Sequence, residues 1–187
     1  MNRDVTDGLR SRPPGRPIGG NQGGLLHAKE MHLMLTLHDN ATIVRSRYDA
    51  FNQRDTVNGQ ALVTDDVKVT NVPFGLDFSG HSGYREYLDT WTTAMPDFKV
   101  EVMNVMPGEE WTAVELIGRG THTGQLARPG SPLAPSQKHM ELKFCELQRV
   151  RDGQISELRV YFDAATMMRQ LRVPQNPMSD RTGHRSH

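Results

Sequence analysis

Asp163 stands in "VYFDAATMMRQL" (160–171), where a strand-like run with Leu158, Val160 and Phe162 meets a helix-like run from Ala164 to Leu171. A carboxylate at such a joint has two uses. It can cap the helix by accepting hydrogen bonds from the amides near Ala165 or Thr166, where the helix dipole favours its charge. It can also act as a general base if apolar neighbours raise its proton affinity toward neutral pH. Capping pulls the pKa down and burial pushes it up. Tyr161, Phe162, Met167 and Met168 make an apolar setting available, and the two uses are compatible. His122, in "GRGTHTG", shares strand parity with Val114, Leu116, Gly118 and Gly120 and so follows the apolar face. It reads either as a hydrogen-bonded, partly buried histidine or as a proton donor facing a cavity. Gly118 and Gly120 flank Arg119 and imply a bend or a close approach.

Tyr48, Phe51, Tyr84, Tyr87, Trp91, Phe144 and Tyr161 form the aromatic set. Such residues build cores, and tyrosines around a pocket also give a flat organic ligand apolar walls with hydroxyl handles. Arg119 and Arg159 read as outer-face strand residues or as groups that orient a carbonyl or carboxylate. The sequence has no glycine-rich phosphate loop, no dinucleotide fingerprint, no nucleophile elbow, and no histidine cluster with metal-ligand spacing. What remains is acid/base chemistry without metal or cofactor, or simple binding of a small apolar or aromatic molecule.

The elements that must position these groups follow from periodicity. "HDNATIVRSRYDAFNQRD" carries Ile43, Val44, Tyr48 and Phe51 on one helical stripe, with Asp39 or Asn40 as cap. A short helical turn fits 58–63 and a strand fits 67–72. "SGYREYLDTWTTAM" (82–95) places Tyr84, Tyr87, Leu88 and Trp91 on one helix face, and Pro96 ends it. The period then changes to two: strands are expected over 97–106, 111–124, 139–150 and 155–162, with "RDGQ" as a tight hairpin turn. Helices first and an antiparallel meander after them define an α+β fold, with one curved sheet wrapped around the helices. Residues 1–37, rich in Gly, Pro and Arg, read as a disordered extension, 38–173 as the domain, and 174–187 as a disordered tail.

The chain has 187 residues and a formal net charge of +0 from 22 basic and 22 acidic side chains. That balance argues against a general nucleic-acid or membrane-surface binder. Cys145 is the sole cysteine, in an apolar strand-like run, and reads as packing rather than as a nucleophile. No apolar run reaches membrane-spanning length, and the N-terminus lacks the apolar core of a secretory signal, so a cytoplasmic protein is expected.

"YDAFNQRD", "GLDFSGHSGYREYLDTWTTAMPDF", "GRGTHTG" and "RVRDGQISELRVYFDAATMMRQL" together cover most of 38–172. In these blocks the chain resembles the SnoaL-like polyketide cyclase (ester cyclase) family of the nuclear-transport-factor-two-like superfamily. The resemblance implies a cone-shaped α+β barrel with N-terminal helices packed in a curved, mainly antiparallel sheet, a deep pocket, and a homodimer formed through the sheet. It implies cofactor-independent ring closure by intramolecular aldol condensation. It gives Asp163 the role of general acid/base and matches His122 to the motif histidine. It sets Tyr48 and Tyr84 where the pocket is lined; Trp91 and Phe144, from the aromatic set, are the further candidates for binding substrate. Epoxide hydrolysis, the chemistry of related barrels, and non-catalytic binding stand as alternatives. Hydrolysis would call for a further carboxylate–arginine arrangement in the pocket.

Overall fold

The structure is a computed structural model and describes residues 22–171 apart from Pro129. Four helices and six strands follow in the order α1 (Gln22–Gln53), α2 (Thr56–Ala61), β1 (Val63–Asn71), β2 (Leu76–Ser79), α3 (Gly80–Ala94), β3 (Lys99–Met106), β4 (Trp111–Thr121), β5 (His139–Arg151), β6 (Gln154–Phe162) and α4 (Ala164–Gln170). A short 3-10 turn, Val72–Phe74, separates β1 from β2. The strands form one sheet in the order β2-β1-β6-β5-β4-β3. Only the β1/β6 pairing is parallel. Register shifts between Val102 and Asn104 and between Arg149 and Val150 add bulges, which bend and twist a sheet. The result is the expected curved α+β cone.

Period-two alternation sets the sheet's two faces. Val67, Val69, Leu158, Val160, Leu142, Phe144, Val114 and Leu116 point inward and are buried. Against them α3 lays its expected stripe of Tyr84, Tyr87 and Trp91, and α1 adds Val44 and Tyr48. Trp91 stacks on Phe98 with centroids 5.3 Å apart and meets Phe144 and Phe162 edge-on. Gly118 makes room for this cluster. A Cβ there would lie 2.8 Å from Phe144 Cε2 and closer still to the Phe98 ring, so the close approach implied by the glycines is one of aromatic rings. Asn52 ties α1 to β3: its Nδ2 donates to Val100 O at 2.8 Å and its Oδ1 accepts from Val100 N at 2.9 Å. The β5–β6 hairpin turns on Asp152 and Gly153 with φ of 51° and 78°, the left-handed pair that a two-residue hairpin turn requires.

Three expectations change. The segment over 22–37, read as disordered, is the first half of α1. It is rich in Leu and Met and includes Ala28, Lys29 and Glu30, good helix formers that extend a helix once its packed half has nucleated it. Leu25, Leu26, Met31, Met34 and Leu35 nevertheless stay exposed. Residues 1–21 and the tail over 174–187 lie outside the described residues. β2 was not anticipated, because four residues with Gly75 and Gly80 at their flanks are too short to establish a period. Cys145, read as packing, is exposed, because Phe144 and Glu146 hold the inward phase of β5. Among the described residues no helix is long and apolar enough to cross a membrane.

Candidate functional site

Asp163 is the N-cap of α4. Its Oδ1 accepts from the amides of Ala165 (2.9 Å) and Thr166 (3.1 Å), and its Oδ2 accepts from the Thr166 hydroxyl. The residue is exposed. The Thr166 hydroxyl, then the Thr166 and Ala165 amides, hold the carboxyl below its ordinary value. It borders a wide surface groove with Lys143, Cys145 and Tyr161. His122 is buried and follows the inward parity of β4. Its Nδ1 accepts from the Ser136 amide at 3.1 Å, its amide donates to Lys138 O, and its carbonyl accepts from the Gln137 amide. These bonds pin the loop between β4 and β5. Burial pushes the imidazole below its ordinary pKa, which suits a ring nitrogen that accepts. His122 lines neither that groove nor either interior cavity described below. The structure therefore does not bring Asp163 and His122 onto a shared pocket.

The aromatic residues do converge, and they enclose polar groups that sequence reasoning missed. Tyr48, Trp91 and Phe144 line an inner chamber with Tyr87, Phe98, Arg47 and Glu146. Glu146 rises from β5 between Val160 on β6 and Val114 on β4 and is 4% exposed. Its Oε2 accepts from Arg47 Nη2, from the Tyr48 hydroxyl at 2.7 Å and from Gln148 Nε2 at 3.3 Å. Arg47 Nε also donates to Gln148 Oε1 at 3.2 Å, and Gln148 Nε2 donates to the Tyr48 hydroxyl at 2.6 Å. Among the described residues Glu146 Oε1 receives no hydrogen bond. Burial alone would lower the Arg47 guanidinium, but Glu146 and the neighbouring tyrosines hold it well above its ordinary value. Burial, then Glu146, push the Tyr48 and Tyr87 hydroxyls well up, so both remain O–H donors.

Arg47, Phe51 and Leu88 also line a second cavity of about 80 Å³ that adjoins the inner chamber, whose own volume is about 20 Å³. Tyr84 lines this outer cavity, between α1, α2 and α3. Arg119 and Arg159 take no part: Arg119 pairs with Glu101 and Glu141, and Arg159 with Glu157. Among the described residues no three His, Cys, Asp or Glu side chains converge as metal ligands.

A family model for SnoaL-like polyketide cyclases matches residues 42–171. The chain belongs to the SnoaL-like polyketide cyclase family. Solved structures of this SnoaL-like fold agree. A candidate SnoaL-like polyketide cyclase from Jannaschia sp. CCS1 superposes with a TM-score of 0.64 at 19% identity, covering 75% of this chain and 96% of that one. A candidate polyketide cyclase from Streptomyces antibioticus gives 0.60 at 23%, covering 72% and 99%. An LEH-like epoxide hydrolase from M. tuberculosis gives 0.57 at 18%, covering 73% and 91%. At these identities the likeness is one of fold. No functionally curated protein matches the sequence. The SnoaL-like cone thus carries, in this chain, an interior carboxylate–arginine–tyrosine group rather than an inward Asp163.

Proposed function

We propose that this chain is a cofactor-independent acid–base enzyme of the cyclase and isomerase type, acting on the acidic C–H of a small carbonyl compound. Glu146 is the working carboxylate. The observation that carries this reading is its setting: one oxygen holds three donors, and the other has no partner among the described residues, inside an aromatic chamber. Oε1 would remove a proton α to a carbonyl. The O–H of Tyr87, which lines the chamber, would donate to the enolate oxygen as charge develops. The carboxylic acid would then return the proton, to carbon in an isomerisation or to the new alkoxide in an aldol closure. A single carboxylate suffices, because the proton it takes goes back to the substrate. Asp163 serves as a helix cap and His122 as a loop anchor. The family match over 42–171 supports the class of chemistry.

The Glu146–Arg47 pair favours one further reading, opening of an epoxide by water with Glu146 as base. That reaction needs a separate donor for the ring oxygen, which Tyr87 or Arg47 would supply. The homodimer implied by the family would form on the outer sheet face, where Met103, Met106 and Tyr161 are exposed.

Hydrogen–deuterium exchange tests the carbon-acid reading. Small ketones and 1,3-dicarbonyl compounds in D2O, followed by proton NMR, should exchange Cα protons faster with the protein than without it. Glu146→Gln should cut the catalysed rate by about a hundredfold or more, and Asp163→Asn should leave it nearly intact. Undiminished exchange in folded Glu146→Gln would exclude Glu146 as the base. Incorporation of ¹⁸O from water into an epoxide, without Cα exchange, would favour hydrolysis. Tight retention of unaltered ligand alone would indicate a binding module.

A further inference from the structure

We infer that the outer cavity is a carboxylate subsite built on Arg47, and that the ligand is a small oxo acid rather than a multi-ring molecule. This rests on the proposed acid–base role of Glu146 and adds a substrate class to it. Arg47 is 2% exposed and lines both cavities. Two of its three nitrogens are engaged, Nη2 by Glu146 and Nε by Gln148. Nη1 finds no acceptor among the described residues. A buried guanidinium with an open edge favours an oxygen acceptor, and a planar carboxylate fits it best.

Four other charged residues line the outer cavity: Arg54, Arg85, Asp55 and Asp89. The Arg54 guanidinium donates to the carbonyls of Phe51, Pro96 and Phe98, and Arg85 donates to Gln60 Oε1. Among the described residues neither arginine has a carboxylate at salt-bridge distance, although the charge of Asp97 acts on Arg54 from further away. Asp55 accepts from the amide and side chain of Asn58 at the start of α2. Asp89 also borders a separate groove beside Gln125 and Pro132. Of the five charged side chains, Arg47 alone reaches from this cavity into the chamber holding Glu146. A carboxylate held by Arg47 in the outer cavity would therefore set the rest of a small oxo acid toward the chamber that Glu146 lines.

Size points the same way. The cavities measure about 80 and 20 Å³, far below the roughly 300–1,000 Å³ typical of sites that enclose drug-sized ligands. Their walls include Tyr84, Tyr87 and Trp91, packed at 2–4% exposure, so little room is gained without moving the core.

Acetoacetate and its neutral analogue 2,4-pentanedione, titrated by calorimetry at fixed ionic strength, test the proposal. Wild-type protein should bind acetoacetate at least about tenfold more tightly, the scale of one charge-assisted hydrogen bond. Arg47→Gln/Glu146→Gln, which removes both charges and keeps a polar side chain at each position, should lose that preference while still binding pentanedione. Folding of each variant is verified by circular dichroism. Equal affinity of wild-type protein for both probes, no binding of either, or a preference surviving in the double variant would each overturn the subsite. Glu146→Gln separates the two readings. It retains Arg47 and should keep the acetoacetate preference while losing deuterium exchange. Lost exchange with no preference overturns the subsite alone, whereas retained exchange overturns the Glu146 mechanism alone.

Discussion

Replacing Arg47 by Met should be among the most destabilising single changes in this chain. The guanidinium is the only cation bonded to Glu146 among the described residues, and both side chains are at most 5% exposed. Methionine fills much the same volume but donates nothing. Glu146 would then keep Tyr48 and Gln148 and face an aromatic wall with its charge uncompensated. Breaking a buried pair in this way costs about 3–5 kcal/mol. For a domain of this size each kcal/mol moves Tm by roughly 2–4 °C, so a fall of about 6–20 °C is expected. Glu146→Leu alone leaves Arg47 stranded and should cost a similar amount. The double variant Arg47→Met/Glu146→Leu removes both desolvated charges at once and should recover most of the loss, because an apolar replacement of a buried pair is close to neutral. A urea-denaturation cycle over the four proteins measures the coupling, expected to exceed about 2 kcal/mol. Additive effects, or an Arg47→Met cost below about 1 kcal/mol, would refute the reasoning. Water would then be screening the pair, and the chamber could not strengthen electrostatics as the proposed mechanism needs.

Other outcomes follow from the same contacts. The bonds from Thr166 and Ala165 depress the Asp163 pKa, so this group stabilises the fold above its unfolded pKa of about 3.9. That contribution fades as pH falls through the lower folded value. Asp163→Asn removes this acid-sensitive component, and the Tm difference from wild type should shrink as pH drops below about 4. His122 has the same preference for the deprotonated form, which for imidazole is the uncharged one. Its neutral ring is favoured in the fold, so stability should decline as pH falls below the unfolded value of about 6.5 toward the lower folded one. His122→Gln should flatten that stretch of a Tm-against-pH curve. Gly118→Val would drive a side chain into the rings of Phe98 and Phe144 and should cost about 1–3 kcal/mol in chemical denaturation. Replacing Leu25, Leu26, Met31, Met34 or Leu35, exposed on α1, by Ala should each change stability by less than about 0.5 kcal/mol.

The architecture was legible because both periods are strong. Tyr84, Tyr87 and Trp91 fall on one face at helical spacing, and β4 to β6 alternate over nine to thirteen residues. β2 offered four residues and no period. The start of α1 was obscured for another reason. Its exposed leucines and methionines belong to no apolar stripe that packs, so helix formation there rests on propensity and propagation, which a search for amphipathic faces does not see.

Locating the working carboxylate depends on phase, not on motif. Along β5 the inward series runs Met140, Leu142, Phe144, Glu146, Gln148, and each of these is buried. A glutamate and a glutamine in consecutive inward positions break an apolar phase in the middle of a long strand, where parity is dependable. Burying them requires donors, and Arg47 and Tyr48, adjacent on α1, supply those donors across the cone. Asp163 offered the more conspicuous signal, a carboxylate at a joint between two elements. The phase of a strand lapses at such a joint, and the free amides of the next helix claim the carboxylate first. A catalytic carboxylate in this cone has to keep an oxygen clear of the backbone, and a mid-strand position does so because the ladder already satisfies the amides around it. The competing demand shifts from capping to desolvation, which Arg47 answers at Oε2 while Oε1 takes no hydrogen bond among the described residues.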